Sequence, residues 1–362
     1  MKPAFTIKDD PYILGINFAL PLIRYERFLT LMAPYGYNLQ KAWSDRLRWP
    51  VGSDLLKVAQ EFNPSAYLKQ LKDLKINYIT VAHPNYPQTL KSIENPPLVI
   101  YYRGNYNLLF QKSLAVVGSR LMTAYGSAVV KELVPAFCRA GFCIVSGLAL
   151  GVDAAAHRTA LENGGATLAV MPCGLDMIIP RTNAYLFNKI AASSRGLVIS
   201  EFPLQQRPRK YLFPLRSRVV AGLSYAVVVV EAGEKSGTAY TVAEGIKQGK
   251  RVFAVPGSIS SLKSRGSNYM IAKKEALAAL NAASVLKELG VVGDSRIYHS
   301  TDLIATLSGN ERGVYQLLTA SSLEFDDLLH QTRLGSALLN KVLTSLEIQG
   351  MVSCSEGAYA VC

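Results

Sequence analysis

A chain of 362 residues has room for two or three domains, and at 49% apolar residues it reads as globular, not disordered. The longest apolar stretch, residues 219–230, falls well short of the roughly twenty residues of a membrane-spanning helix, and Asp9, Asp10 and Pro11 stand where a signal peptide would place its apolar run, so a cytoplasmic protein with no membrane partner is expected. The formal charge of +13 gathers in residues 91–295, where 24 basic residues face 12 acidic ones, whereas residues 296–362 carry a net −3; a surplus so placed points to a polyanionic partner.

The first 83 residues read as a small helical domain. Turns are marked at Pro34–Gly36, Trp49–Gly52 and Asn63–Pro64, and Tyr25–Met32 and Leu55–Phe62 show apolar residues at helical spacing. Pro84, Pro87, Pro96 and Pro97 predict a stiff connector at the start of a second domain spanning 84–290. From Ser113 the pattern alternates. Short Val- and Ile-rich runs are predicted as strands at Leu114–Val117, Cys143–Val145, Leu168–Met171, Leu197–Ile199, Val227–Val230 and Val252–Val255. Helical stretches at Ala124–Ala140, Val152–Asn163, Asn183–Ala192 and Thr238–Gln248 separate most of them. That alternation predicts an α/β fold, a parallel sheet covered by helices on both faces, which binds its ligand at the carboxyl ends of its strands. A polar linker over 291–306 leads to residues 307–362. There Glu311–Leu318, Asp326–Gln331 and Ala337–Gln349 are predicted helices, followed by a two-stranded wing turning at Gly357, which makes a winged helix.

The strand ends carry the chemistry. The first strand runs into Gly118, Ser119 and Arg120, a close-approach glycine, a hydroxyl and a guanidinium beside a helix start; alone this is an anion cradle or an ordinary tight turn. The second opens into Ser146, Gly147 and Gly151, a bent loop whose amides can converge on an anion. Asp153 and His157 follow four residues apart on one helix face and are expected to hydrogen-bond each other and brace the loop, since no third ligand is spaced for a metal. The third leads to Arg181 and Asn183 at a helix entrance. In residues 205–224, Arg207, Arg209, Lys210, Arg216 and Arg218 are interleaved with Tyr211 and Phe213 and no acid interrupts them. Cations for a phosphate backbone with rings for bases are the ingredients of a single-strand groove. The fifth strand leads to Lys235, Ser236, Gly237 and Thr238 at another helix start, and the sixth to VPGS and then to RGSN, which holds Asn268. A solvated arginine near a helix start is the alternative at Arg181 and a solvated loop the alternative for residues 205–224; recurrence at four or more strand ends argues for a polyanion groove. The five cysteines have no metal spacing and read as reduced thiols. Neither GxxxxGK[ST] nor HExxH is present, and no metal, cofactor or catalytic residue is expected.

These motifs in this order, VVGSR, SGLALGVDAAAH, GLD with IPRTN, SEFP, FPLRSRVVAGLS, VVEAGEKSGT, VFAVPGS and GSN, closely resemble the DprA/Smf family of DNA-processing proteins of natural transformation, over about residues 84–275. The resemblance implies an extended Rossmann-like parallel sheet flanked by a helix-hairpin-helix (SAM-like) N-terminal domain and a C-terminal winged helix. It implies a homodimer that binds incoming single-stranded DNA and loads the RecA recombinase onto it, with Arg120 and Arg181 contacting phosphate and Arg216 and Arg218 lining the same groove. The family's RNR triplet reads Arg216-Ser217-Arg218 here, and Lys274-Glu275-Ala276 replaces the expected glycine-alanine. An alternative on the same fold is a nucleotide-hydrolysing enzyme similar to the LOG-type phosphoribohydrolases. Their motif places a glutamate three residues after its threonine; here Thr238 is followed at that spacing by Thr241, and the nearest acid is Glu244. The acidic winged helix is expected to serve protein interaction or regulation, not groove reading.

Overall fold

Strands built from Val, Ile, Leu and Ala with no exposed face require cover on both sides, and the chain supplies it. The computed structural model describes residues 5–234, 236–291, 307–348, 351–355 and 357–361. They divide into one unit ending at Val291 and a second beginning at Val292. The first unit is organised on a nine-stranded sheet in the order β1-β2-β6-β5-β4-β3-β7-β8-β9. Its strands are β1 (Asn77–Thr80), β2 (Val99–Gly104), β3 (Ser113–Val117), β4 (Cys143–Ser146), β5 (Thr167–Val170), β6 (Gly196–Ser200), β7 (Ala226–Val229), β8 (Arg251–Ala254) and β9 (Leu277–Ala278). All pairings from β6 to β9 are parallel. β1 and β2 extend one edge in antiparallel fashion, Tyr101 facing Ser200 across β2 and β6. The strand order reverses about β3: β4 lies on one side and β7 on the other, and such a reversal opens a crevice at the strands' carboxyl ends.

The six predicted strands sit within one residue of β3 to β8. The two antiparallel strands were not predicted. They flank the proline-rich stretch, and two of the four residues of β1 face solvent to some degree. β1 also falls inside the expected first domain. The N-terminal helices α1 (Asp10–Ala19), α2 (Tyr25–Met32), α3 (Leu39–Ser44), α4 (Ser53–Glu61) and α5 (Pro64–Asp73) share one continuous core with the sheet, in which Phe28, Trp43 and Tyr67 join Tyr101 and Leu197. Polar bonds tie the same junction: Thr80 Oγ1 donates to Asp10 Oδ1 at 2.6 Å and the Tyr101 hydroxyl to Asn17 Oδ1 at 2.9 Å.

The remaining helices of this unit are α6 (Gln88–Lys91), α7 (Ala124–Arg139), α8 (Val152–Glu162), α9 (Ala184–Ala192), α10 (Leu212–Leu223), α11 (Thr238–Lys247), α12 (Arg265–Ala272) and α13 (Ala282–Glu288). α10 occupies much of the basic 205–224 run. In the second unit, helices Gly309–Ala320, Phe325–Thr332 and Ser336–Ile348 pack Val314, Leu318, Leu328, Leu339 and Leu343 together. A three-stranded antiparallel sheet, β10 (Leu323–Glu324), β11 (Val352–Ser355) and β12 (Ala358–Val361), completes a winged helix. Residues 292–306 of the expected linker lie outside the described residues. Among the described residues no helix is long and apolar enough to cross a membrane, and no cluster of three or more His, Cys, Asp or Glu could hold a metal ion.

Candidate nucleic-acid interface

At the carboxyl ends of β3, β4 and β7 lies a cleft of about 630 Å³. The loop after β3 supplies Gly118, Ser119, Arg120 and Leu121, the loop after β4 supplies Gly147 and Ala149, and the turn into α11 supplies Gly233, Ser236, Gly237 and Thr238. α10 and the chain before it bring Lys210, Phe213 and Arg216; Tyr240 and Lys263 complete the wall. The crevice at the switch point therefore collects residues that lie as much as 146 positions apart, from Val117 to Lys263.

The glycine-rich loops hold anions, but internal ones. The amides of Gly147 and Ala149 both donate to Asp153 Oδ2, at 3.2 and 3.4 Å, so the nest after β4 is filled by the protein's own carboxylate. At the start of α7, Thr123 donates from its amide (3.0 Å) and its hydroxyl to the Glu231 carboxylate, and Gly126 N–H donates to Thr123 Oγ1. The first turn of α11 is also closed on itself: Thr238 N–H goes to Ser236 Oγ, Ala239 N–H to Ser236 O and Tyr240 N–H to Gly237 O. What remains for an external polyanion is the partial positive charge of the helix ends and, above all, the side-chain cations.

Four of these line the cleft: Arg120, Lys210, Arg216 and Lys263. Among the described residues none of the four makes an ion pair. Arg120 is exposed, its guanidinium 5.2 Å from the centre of the Phe213 ring, which fixes a flexible cation at the mouth. Arg216 is only 8% exposed; its Nη1 donates to Val170 O at 2.8 Å. Gly147 makes room for it, since a Cβ there would stand 1.5 Å from Arg216 Nη1. Burial lowers the Arg216 pKa and Asp153 opposes that; burial raises the Asp153 carboxyl, with Arg216 the largest opposing influence. Gly151, at φ +74°, could not carry a Cβ either, because Ser119 O lies 2.2 Å from its place.

The other singled-out residues have different positions. Ser146 Oγ donates to Val116 O at 2.7 Å and is fully buried, so it ties β4 to β3 and does not face the cleft. Asn183 is spent on Leu148 O and Ala149 O, stitching the α9 entrance to the cleft loop and leaving Arg181, two residues earlier, exposed. Asn268 clasps both the N–H and the C=O of Gly257, setting the base of the loop that carries Lys263. Lys235 lies outside the described residues. Arg218 is the clearest correction: it pairs with Glu201 through Nη2, the two side chains 16% and 11% exposed, and lines a different pocket. A second correction concerns Asp153 and His157, which do not bond each other. His157 Nδ1 meets Thr167 Oγ1 at 2.6 Å, and that hydroxyl donates to Ile144 O. The hydroxyl proton being used, Nδ1 must carry the imidazole proton. Lys263 and Tyr240 were missed, because nothing in the sequence places the loop after β8, or the third residue of α11, on this wall.

Residues 77–290 match the family model of DNA recombination-mediator protein A, and residues 299–358 match that of the DprA winged helix domain. The chain belongs to the DNA recombination-mediator protein A family. DNA processing protein DprA of Bacillus subtilis is 38% identical over 61% of this chain and 74% of its own length. The solved structure of DprA from Streptococcus pneumoniae, at 30% identity, covers 77% of this chain and 97% of that one with a TM-score of 0.66. A structure of DprA from Helicobacter pylori, which concerns its single-stranded DNA binding mode, covers 59% of this chain and 95% of that one at 31% identity and a TM-score of 0.53. The motif-based expectation of DprA/Smf membership thus agrees with both sequence and fold.

Proposed function

We propose that this protein binds single-stranded DNA along the cleft at the ends of β3, β4 and β7, and that it acts in DNA uptake by protecting the strand and loading the RecA recombinase onto it. The observation that carries the reading is the set of cations Arg120, Lys210, Arg216 and Lys263 lining one cleft with no ion-pair partner among the described residues. The Helicobacter pylori relative's single-stranded DNA binding supports it. No catalytic step is part of the proposal. Glu244, the acid nearest to the phosphoribohydrolase position, accepts from Gln248 and lines a pocket other than the cleft, which disfavours the hydrolase alternative. Homodimerisation and a cytoplasmic setting belong to the same reading. Among the described residues strand β9 at the sheet edge pairs on one side only, and Leu277 and Leu280 are 47% and 72% exposed, an apolar edge of the kind a second copy buries.

The test is a salt titration of oligonucleotide binding. For single strands the log–log slope is roughly 0.7 per phosphate contact, so four cations should give a slope of about 3. Arg120→Ala together with Lys210→Ala should weaken binding and lower that slope by about 1.4. An affinity and a slope both unchanged in the double variant would remove the cleft from consideration.

A further inference from the structure

Six buried side-chain polar atoms lack a hydrogen-bond partner among the described residues, and four of them gather at one place: Asn95 Oδ1, Gln248 Oε1, Arg218 Nη1 and Glu201 Oε1, the last on the carboxylate paired with Arg218. Protein interiors leave few such atoms, and each calls for a water, an ion or a ligand. Asn95, Gln248 and Arg218 line a pocket of about 330 Å³ between residues 89–95, α10 and the last turn of α11 with Lys250 behind it. That volume admits a small molecule.

The lining defines its chemistry. Among the described residues Ile93 is the one apolar side chain and no ring lines the pocket, so a nucleobase would have nothing there to stack on. Lys247 is committed to Glu94, Arg218 Nη2 to Glu201, and the Glu244 carboxylate, which also lines the pocket, accepts from Gln248 Nε2. Arg218 Nη1 and Lys250 remain. Lys250 is half-buried with no ion pair to a described carboxylate, and its burial disfavours the ammonium form, a cost that an incoming anion would offset. The amide oxygens of Asn95 and Gln248 need donors, and the free guanidinium N–H needs an acceptor. A hydroxyl can serve either need.

We propose that this pocket binds a small phosphorylated polyol, of the sugar-phosphate class, with its hydroxyls on Asn95, Gln248 and Arg218 and its phosphate on Lys250. The occupant bears on α10, whose Arg216 lines the DNA cleft two residues from Arg218, so it has a physical route to the other site.

Calorimetric titration of the full chain with ribose 5-phosphate, ribose and inorganic phosphate, without DNA, tests this independently of the DNA reading. Ribose 5-phosphate should bind saturably, one per chain, and more tightly than either fragment. Lys250→Ala and Asn95→Ala should each weaken it at least tenfold, with Tm measured to show that both variants fold, and Arg120→Ala should leave it unchanged. The proposal is overturned by the absence of saturable binding, which would leave the polar atoms to water. It is overturned equally by inorganic phosphate binding as tightly as the sugar phosphate, by full binding in folded Lys250→Ala, or by loss in Arg120→Ala, which would place the ligand in the cleft.

Discussion

Burial holds the His157 imidazole near a pKa of about 3, down from 6.5, with the nearby Arg216 charge acting in the same direction. The native state therefore stays neutral at this position while the unfolded chain takes up a proton below pH 6.5. The stabilisation is complete above 6.5 and is lost as pH falls from there toward 3, by about 1.4 kcal/mol per unit. Asp10, Asp153 and Glu201 have raised pKa values through burial and titrate with the opposite sign, so the histidine's share must be read by difference. The substitution His157→Asn keeps an N–H donor for Thr167 and removes the titrating ring. That variant should show a flatter fall in urea-unfolding free energy between pH 6.5 and 5, by close to one proton. Equal slopes would contradict the assignment. The same residues show why side-chain roles were partly hidden. Ser146, Asn183 and Asn268 were singled out as polar groups at strand ends, yet a serine or asparagine has the same letter whether it meets a ligand or a neighbouring carbonyl. All three meet backbone carbonyls.

Helix α10 separates what a linear reading had joined. Arg216 and Arg218 are two positions apart, and on a helix such residues point to nearly opposite faces. One therefore lines the cleft, and the other pairs with Glu201. Along the chain the cations form a strip, and the helical period from Leu212 onward divides it between two faces. The parallel strands were clear for the converse reason: burial on both faces leaves an unbroken apolar run, whereas β1 carries polar Asn77 and Thr80 at its ends and the apolar run of β2 directly follows Pro96 and Pro97. Two substitutions should divide cleanly. Arg218→Met strands the buried Glu201 carboxylate and should lower stability by about 3 kcal/mol while single-strand affinity stays within about twofold. Arg120→Met should leave stability within about 0.5 kcal/mol and weaken DNA binding. Urea denaturation and fluorescence anisotropy on both proteins would check this. A DNA-binding loss in folded Arg218→Met would return that residue to the groove.

The positive charge is confined to the part of the chain that builds the sheet: residues 91–295 hold the twofold excess of basic residues, and residues 296–362 are net negative. Single-strand affinity is dominated by phosphate contacts, so the net-negative winged helix, which has its own core, is expected to contribute little to it. The first unit carries its own core, from the N-terminal helices through β9, and every described cation of the cleft lies within it. A chain ending at Val291 should therefore fold, bind single-stranded oligonucleotides within about twofold of the full chain, and keep the same salt slope, because the number of phosphates neutralised is unchanged. If anisotropy titrations instead showed a tenfold loss with a shallower slope, contacts would have gone with the winged helix. A tenfold loss at constant slope would point to a non-ionic contribution, and either result would overturn the assignment of DNA affinity to the sheet alone.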